Sequence, residues 1–424
     1  MATPAFRPPP DFEPAPSAVE GITVFRPRDP AAVGPAAFKC PSCAATTGFA
    51  PKDGALVCAF CSWKQPIETA RRPNVGHDFT VEALRLAAHG WGVVRRTLRC
   101  PDCGTERAVE AAAISTSCPF CAGGHVEVSD RDDGAALRPS HVLPFRVRDV
   151  DLAGPVKGWL GQGWFHPSRL ADLARVDRFV GVYVPYWVFE AQVAADYACE
   201  VGHDHTRTVT DGNGRTHTET ETVWTWTKGH IAHGFAHVRI PGTARLSRVL
   251  LGRVDDAFDL SQLEAFDPRF LAGFDAQGYD IALPEAWEDG KAEIRDGARR
   301  LCEADAGSSK IRNLSVAAGL SEEAWRYALL PVWVTAYKFE GKTWQIMVDG
   351  ASGVVHGQKP VVWARVWLAI AAMVAPGLCA GVIGVPLALV GVGVPIVVVA
   401  GVLLIAGLVG SGVLYASVSK SEVA

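Results

Sequence analysis

The stretch that decides the fold reads Cys40-Pro41-Ser42-Cys43, then Cys58-Ala59-Phe60-Cys61. It recurs as Cys100-Pro101-Asp102-Cys103, then Cys118-Pro119-Phe120-Cys121. In each set 14 residues separate the two pairs. A Cys-x-x-Cys turn aims two thiolates at one point. Two such turns joined by a short β-hairpin complete the four-sulfur tetrahedral shell that suits Zn²⁺. The spacing therefore predicts two small β zinc ribbons, at 38–65 and 98–126, holding two structural Zn²⁺ ions. All four positions are filled by the chain, which leaves no place for water or substrate. Redox-active thiols and an iron–sulfur cluster are the competing readings, and the doubled spacing favours zinc. Of the 11 cysteines, Cys199, Cys302 and Cys379 stand alone and read as buried small apolar residues.

Outward from the ribbons, residues 1–35 are rich in Pro and Ala. They read as a disordered tail, with no basic start followed by an apolar stretch that would mark a cleavable signal. Residues 66–97 read as a helical connector. Residues 140–358 read as a mixed α+β body. Pro144–Val147 is expected to start a strand, 167–176 to form a helix, and Val180–Phe189 to form a dense strand. Strand-like alternation continues through 193–200. Asp211-Gly212-Asn213-Gly214 is a hairpin turn signal between flanks, 206–210 and 216–227, that alternate with period two, and a second helix is expected from about 284 to 304. Glu322-Glu323 reads as the first turn of a short helix. Val184-Pro185-Tyr186-Trp187-Val188 echoes Leu330-Pro331-Val332-Trp333-Val334. A duplicated sheet unit is one reading of the echo. Two similar edge strands, each tolerating a proline, is the reading we favour.

The C-terminus is of a different kind. Residues 366–419 are 54 consecutive uncharged positions, mostly Val, Leu, Ile, Ala and Gly. One membrane-crossing helix needs about 20 residues, so the block fits a two-helix transmembrane hairpin, with spans near 364–385 and 395–416 and a turn between Gly384 and Pro395. The competing reading, a buried helical hairpin of a soluble domain, leaves such a long run without a polar face unexplained. Trp363, Trp367 and Tyr415 fall at the expected interfaces. Gly377 and Gly381 form a small-xxx-small pair. An even number of spans puts both termini on one side. Lys359, Arg365 and Lys420 flank the spans, and thiolates need a reducing compartment. Both arguments place the termini and the body in the cytoplasm, on a multi-pass protein of the inner membrane.

Composition narrows the function. Forty-one Lys and Arg stand against 45 Asp and Glu. The first ribbon sets Lys39, Lys52 and Lys64 against Asp53, and the second sets Arg99 and Arg107 against Asp102, Glu106 and Glu110. Neither forms the basic stripe that phosphate neutralisation needs, which disfavours nucleic acid. Phe60 and Trp63 read either as base-stacking residues or as closers of the ribbon core. No phosphate-binding loop, His-Glu-x-x-His or Gly-x-Ser-x-Gly is present, so no enzymatic activity is expected. Six histidines lie between 203 and 237: His203, His205, His217, His230, His233 and His237. They read as polar positions on half-exposed strands, with a further metal site as the alternative.

Several stretches together resemble a bacterial family of zinc-ribbon membrane proteins. They are the two cysteine sets, Leu137-Arg138-Pro139 with Val142-Leu143-Pro144-Phe145, Gly181–Trp187, Tyr327–Trp333, and Val348-Asp349-Gly350 with Gly353. Members are labelled as transcription-factor-type zinc ribbon proteins, and some as primosomal or replication restart helicases. The helicase label finds no nucleotide-binding loop in this chain. The resemblance covers about 38–360. It implies a membrane-anchored adaptor in the envelope stress response, with phage-shock-type or SPFH scaffold proteins as partners. The long Pro-rich N-terminus and the histidine-rich middle depart from that pattern. The alternative reading is a membrane-tethered nucleic-acid-binding zinc ribbon protein.

Overall fold

The computed structural model describes residues 12–15, 24–27, 38–68, 77–79, 90–91, 95–110, 118–121, 126–128, 136–173, 175–176, 179–210, 216–246, 248–255, 257–389 and 393–423. The core of the expected connector helix and the 211–214 turn lie outside these residues.

The N-terminal region departs from a wholly irregular tail. Strands β1 (Phe12–Ala15) and β2 (Val24–Pro27) pair antiparallel. They form a two-stranded sheet. The first cysteine module follows as a three-stranded sheet, β3 (Thr47–Ala50), β4 (Ala55–Cys58) and β5 (Lys64–Pro66). The second contributes β6 (Arg95–Arg99) and β7 (Glu106–Glu110).

The body is one mixed sheet with helices. After β8 (His141–Val142) come α1 (Ala153–Leu160) and the short α2 (Leu170–Leu173). The expected strand at 144–147 is displaced upstream to β8. There the chain turns off, and the amides of Arg146 and Val147 both donate to the Gly350 carbonyl. The expected helix at 167–176 shrinks to α2, because Arg175–Val176 is taken into the sheet beside Tyr337 and Lys338. Strands β9 (Val180–Thr210) and β10 (Thr216–Pro241) are 31 and 26 residues long. Helix α3 (Arg248–Asp255), β11 (Asp275–Ala276) and helix α4 (Leu283–Asp305) precede β12 (Ile311–Phe339) and β13 (Lys342–Asp349). In space the sheet runs β6–β7–β11–β9–β12–β8, with β10 extending β9 and β13 extending β12.

β9 and β12 are therefore central neighbours, which corrects the edge-strand reading of the sequence echo. The structure carries a duplicated unit. The Pro185 carbonyl accepts from the Gly242 amide at 2.8 Å, and the Pro331 carbonyl accepts from the Gly350 amide at 2.8 Å. A short parallel strand flanks each proline, with Val182 beside Asp275 and Ala328 beside His141. The amides of Asp280 and Ile281 donate to Gly242, as those of Arg146 and Val147 donate to Gly350. The indole of Trp187 donates to the Ile281 carbonyl and that of Trp333 to the Val147 carbonyl, both at 2.9 Å. Because β9 and β12 pair antiparallel, the two units are related by an approximate two-fold axis perpendicular to the sheet. Each proline lies where one flanking strand ends and the next begins, so its missing N–H costs no ladder bond.

Alternation sorts the core onto two faces. Val182, Val184, Tyr186 and Val188 pack with Leu250, Leu251 and Val254 of α3 and with the second cysteine module. Tyr183, Trp187, Phe189 and Trp333 pack on the other face with α4 and with Phe49, Leu56 and Ile67 of the first module. Beyond Glu190 the long strands form an arm. There both neighbours of β9 bulge, at His237 (φ 61°) and Glu322 (φ 52°). The acidic pair Glu322-Glu323 is thus part of a bulge inside β12, which replaces the expected helix turn. Helix α4, close to the span expected from sequence, covers one face of the arm. Its Gly290 and Gly297 lie against the rings of Phe189 and Phe235, where a Cβ would sit 2.7 Å and 2.5 Å away.

Two apolar helices end the chain, α5 (Trp363–Leu389) and α6 (Val394–Val423). α5 runs through Pro386 and past the expected turn start at Gly384. Gly377 approaches the Leu404 backbone nitrogen, with a hypothetical Cβ at 2.7 Å, so it serves helix packing; Gly381 meets Ala400 at an ordinary 3.9 Å. Cys199 and Cys302 are buried as expected, whereas Cys379 is exposed on α5.

Candidate metal centres

The eight paired cysteines gather into two sets of four, Cys40, Cys43, Cys58 and Cys61, and Cys100, Cys103, Cys118 and Cys121. Within each set all sulfurs lie within 4.8 Å of one another. Cys40 and Cys61 Sγ atoms are 3.4 Å apart and Cys43 and Cys58 3.5 Å; both matching pairs of the second set are 3.7 Å apart. A tetrahedral ion with metal–sulfur bonds of about 2.3 Å has edges of about 3.8 Å. The donor sets fit an M–S₄ centre, and four thiolates from the chain close its coordination.

Local backbone geometry builds these sets. The amide of Ala44 donates to the Cys40 carbonyl, that of Ser62 to Cys58 and that of Gly104 to Cys100. Each of these three residues is left-handed, with φ of 58°, 58° and 73°. Glycine is the usual occupant of such a position, and its absence at 44 and 62 hides the turn from a glycine-based reading. Amides also point at sulfur. Those of Cys61 and Phe60 bring the Cys58 thiol down to about 6. Burial opposes ionisation of Cys40, but the amides of Cys43 and Ser42 outweigh it and lower that thiol. Cys61, despite the amide of Trp63, is pushed up to about 12 by the Cys40, Cys43 and Cys58 sulfurs around it. In the second set burial, with repulsion from Cys103 and Cys121, raises Cys118. Four thiols that oppose one another's ionisation are the arrangement a cation relieves.

The modules differ in how they sit on the body. The second is built into it. Cys100, Cys118 and Phe120 join the core beside Val182 and Leu330, and the Phe120 carbonyl accepts from Gln345 Nε2 at 2.6 Å. Arg107 pairs with Asp275, and Arg245 bridges Glu106 at 3.0 Å and the Gly104 carbonyl at 2.9 Å. The first module leans on the body through Phe49, whose amide donates to the Ala272 carbonyl at 2.9 Å and whose ring meets Phe270 edge-on at 5.1 Å. Its thiols Cys43 and Cys61 stay exposed. The equivalent residues Phe60 and Phe120 show the contrast most sharply: Phe120 is 1% exposed and Phe60 is 82% exposed. Phe60 therefore does not close the ribbon core, while Trp63 packs against the main core.

Among the described residues the histidines do not converge. His203 and His205 lie on the arm opposite Val223 and Glu221. His230 Nδ1 meets Asp196 at 2.8 Å, His233 packs on Phe235, and His237 sits at the bulge, where burial lowers it. The side chain of His217 lies outside the described residues. Among the described residues only the two cysteine sets group as metal ligands.

No family model matches the chain, and no solved structure matches it. It is similar to a Bacillus subtilis (strain 168) protein called Uncharacterized protein YdjG, with 23% identity over 330 residues, covering 76% of this chain and 90% of that one.

Proposed function

We propose that this protein is a non-enzymatic, membrane-anchored adaptor whose first cysteine module recruits a protein partner. The observation that carries the reading is the contrast between Phe60 and Phe120. The two modules place a phenylalanine at the same knuckle position. The second spends it on the body, and the first holds it out to solvent beside exposed thiols. Exposed aromatic anchors of this kind dominate protein interfaces. The near-neutral charge of both modules supports a protein partner over nucleic acid. Zn²⁺ is the ion we assign to both centres, because the S₄ donor set and its spacing match structural zinc.

The anchor is the hairpin of α5 and α6. The apolar stretches Trp363–Leu387 and Pro395–Ser419 leave most of their surface uncovered, with 11% and 17% of the residues of their most apolar windows buried by the chain. Lipid is the solvent such a surface needs. Flanking Lys and Arg and the thiolate chemistry support an inner-membrane protein with both termini in the cytoplasm. The resemblance of the sequence to zinc-ribbon membrane proteins directs the partner search to phage-shock-type and SPFH scaffold proteins of the envelope stress response.

The test is purification of the full chain in detergent from its native cells, beside Phe60→Ala and a chain lacking residues 361–424. A stoichiometric partner that is lost on Phe60→Ala, with metal content unchanged, is the expected result. A partner set identical in wild type and Phe60→Ala, or no partner at all, sinks the adaptor reading.

A further inference from the structure

Resting on the membrane reading above, we propose that the loop of residues 161–166 is a second membrane contact, which seats Trp164 in the lipid headgroup interface and fixes the body against the bilayer. The loop follows α1 and is tied to the chain that enters α5. The Val362 amide donates to the Phe165 carbonyl at 2.8 Å, and His166 Nδ1 lies 2.9 Å from the Pro360 carbonyl. Arg365 donates to the carbonyls of both Trp164 and His166 at 2.8 Å. Lys359 bonds the carbonyls of Trp159 and Gln162.

These bonds set the level of the loop. Arg365 is the last charged residue before the uncharged block, and it lies in the first turn of α5. By gripping Trp164 and His166 it holds the loop where the apolar span begins. Trp363 and Tyr415 mark the same level from the two helices, with rings 5.5 Å apart. Trp164 is 56% exposed there, and its ring meets half-buried Phe165 edge-on at 5.2 Å. A large indole held open at that height suits the amphipathic headgroup zone. The bend itself is built in. Gly163 has φ 100°, and a Cβ there would fall 2.5 Å from the His166 ring. The Arg365 clamp holds the backbone of the loop, and Trp164 projects from that fixed backbone with its ring exposed.

The experiment uses the full chain in nanodiscs of phosphatidylethanolamine and phosphatidylglycerol. The photo-crosslinker p-benzoylphenylalanine replaces Trp164, Trp367 or Trp226 in turn, and adducts are identified by mass spectrometry. All three side chains are exposed, at 56%, 58% and 60%, and metal content checks that each variant retains its fold. Lipid adducts at 164 comparable with those at 367, and none at 226 on the arm, are expected. Lipid adducts at 367 with none at 164, or protein adducts at 164, overturn this inference and leave the membrane reading standing. No lipid adduct at 367 overturns the membrane reading and this inference with it.

Discussion

Gly350 and Gly242 occupy the same place in the two repeats, yet their surroundings differ enough to predict unequal costs for one methyl group. At Gly350 a Cβ would lie 2.4 Å and 2.5 Å from Phe145 Cδ1 and Cε1, and 2.9 Å from Pro331 Cβ. The Phe145 ring cannot swing aside. It is fully buried, stacked 4.2 Å from Phe274, and met edge-on by Tyr183 at 4.9 Å and Trp333 at 5.0 Å. Overpacking of this kind costs about 1–3 kcal/mol. At Gly242 the nearest atoms are Pro185 Cβ and Tyr279 Cβ, both at 3.2 Å, so a shift of a few tenths of an ångström suffices. For a body of this size each kcal/mol moves Tm by about 2–4 °C. Gly350→Ala is therefore expected to lower Tm by several degrees, and Gly242→Ala by clearly less. The assay is thermal unfolding of the full chain in detergent, read by far-ultraviolet circular dichroism. Equal shifts, or a larger one at Gly242, would refute the packing argument.

Metal and pH offer two more checks. Cys43→Ser and Cys103→Ser are each expected to remove one metal equivalent by elemental analysis. The loss at Cys103 should lower Tm more, because that centre shares the body core with Phe120 and Val182; equal effects would show that the modules are equally independent. Burial takes Lys359 from its ordinary 10.5 down to about 8, while the unfolded chain keeps that proton to about 10.4. Between these values the unfolded state binds more protons, so this residue makes stability rise with pH across that window. Lys359→Met is expected to flatten that rise in Tm measured against pH, and an unchanged slope would count against it.

What the sequence revealed depends on how local each signal is. The cysteine sets need only 22 residues each, from Cys40 to Cys61 and from Cys100 to Cys121, and their spacing carries the chemistry. Helix α4 was legible because Pro284 opens it and its apolar positions recur at helical spacing. The uncharged block announced α5 and α6 by length alone. The arm was legible in its alternation: β9 buries Ala191, Val193, Ala195, Tyr197 and Cys199 on one face and carries small and polar residues on the other, so 193–200 and the flanks 206–210 and 216–227 read as strand, whereas the unbroken length of β9 and β10 did not show. The exposed state of Phe60 was not legible at all. Cys-x-Phe-Cys is the same motif at 58–61 and 118–121, and only the docking of each module separates the two phenylalanines.

The duplication was nearly invisible for a related reason. It is carried by backbone bonds to Gly242 and Gly350 and by two indole-to-carbonyl bonds, and these constrain few side chains. Gly242 lies 57 positions after Pro185 and Gly350 lies 19 after Pro331, so no fixed period exists for a sequence comparison to find. The structure explains how one repeat tolerated the difference. In the shorter, β12 and β13 turn at Glu340 and Gly341, both left-handed. In the longer, the β9–β10 hairpin continues past the bulge at His237, beside the Glu322 bulge of β12, before it returns. Beyond the bulges the buried residues Ala191 to Val201 continue the core that holds Trp187 and Trp333, and α4 covers them there. The conserved geometry of the two prolines and the free growth of one hairpin are thus the same fact seen from either side of Glu190.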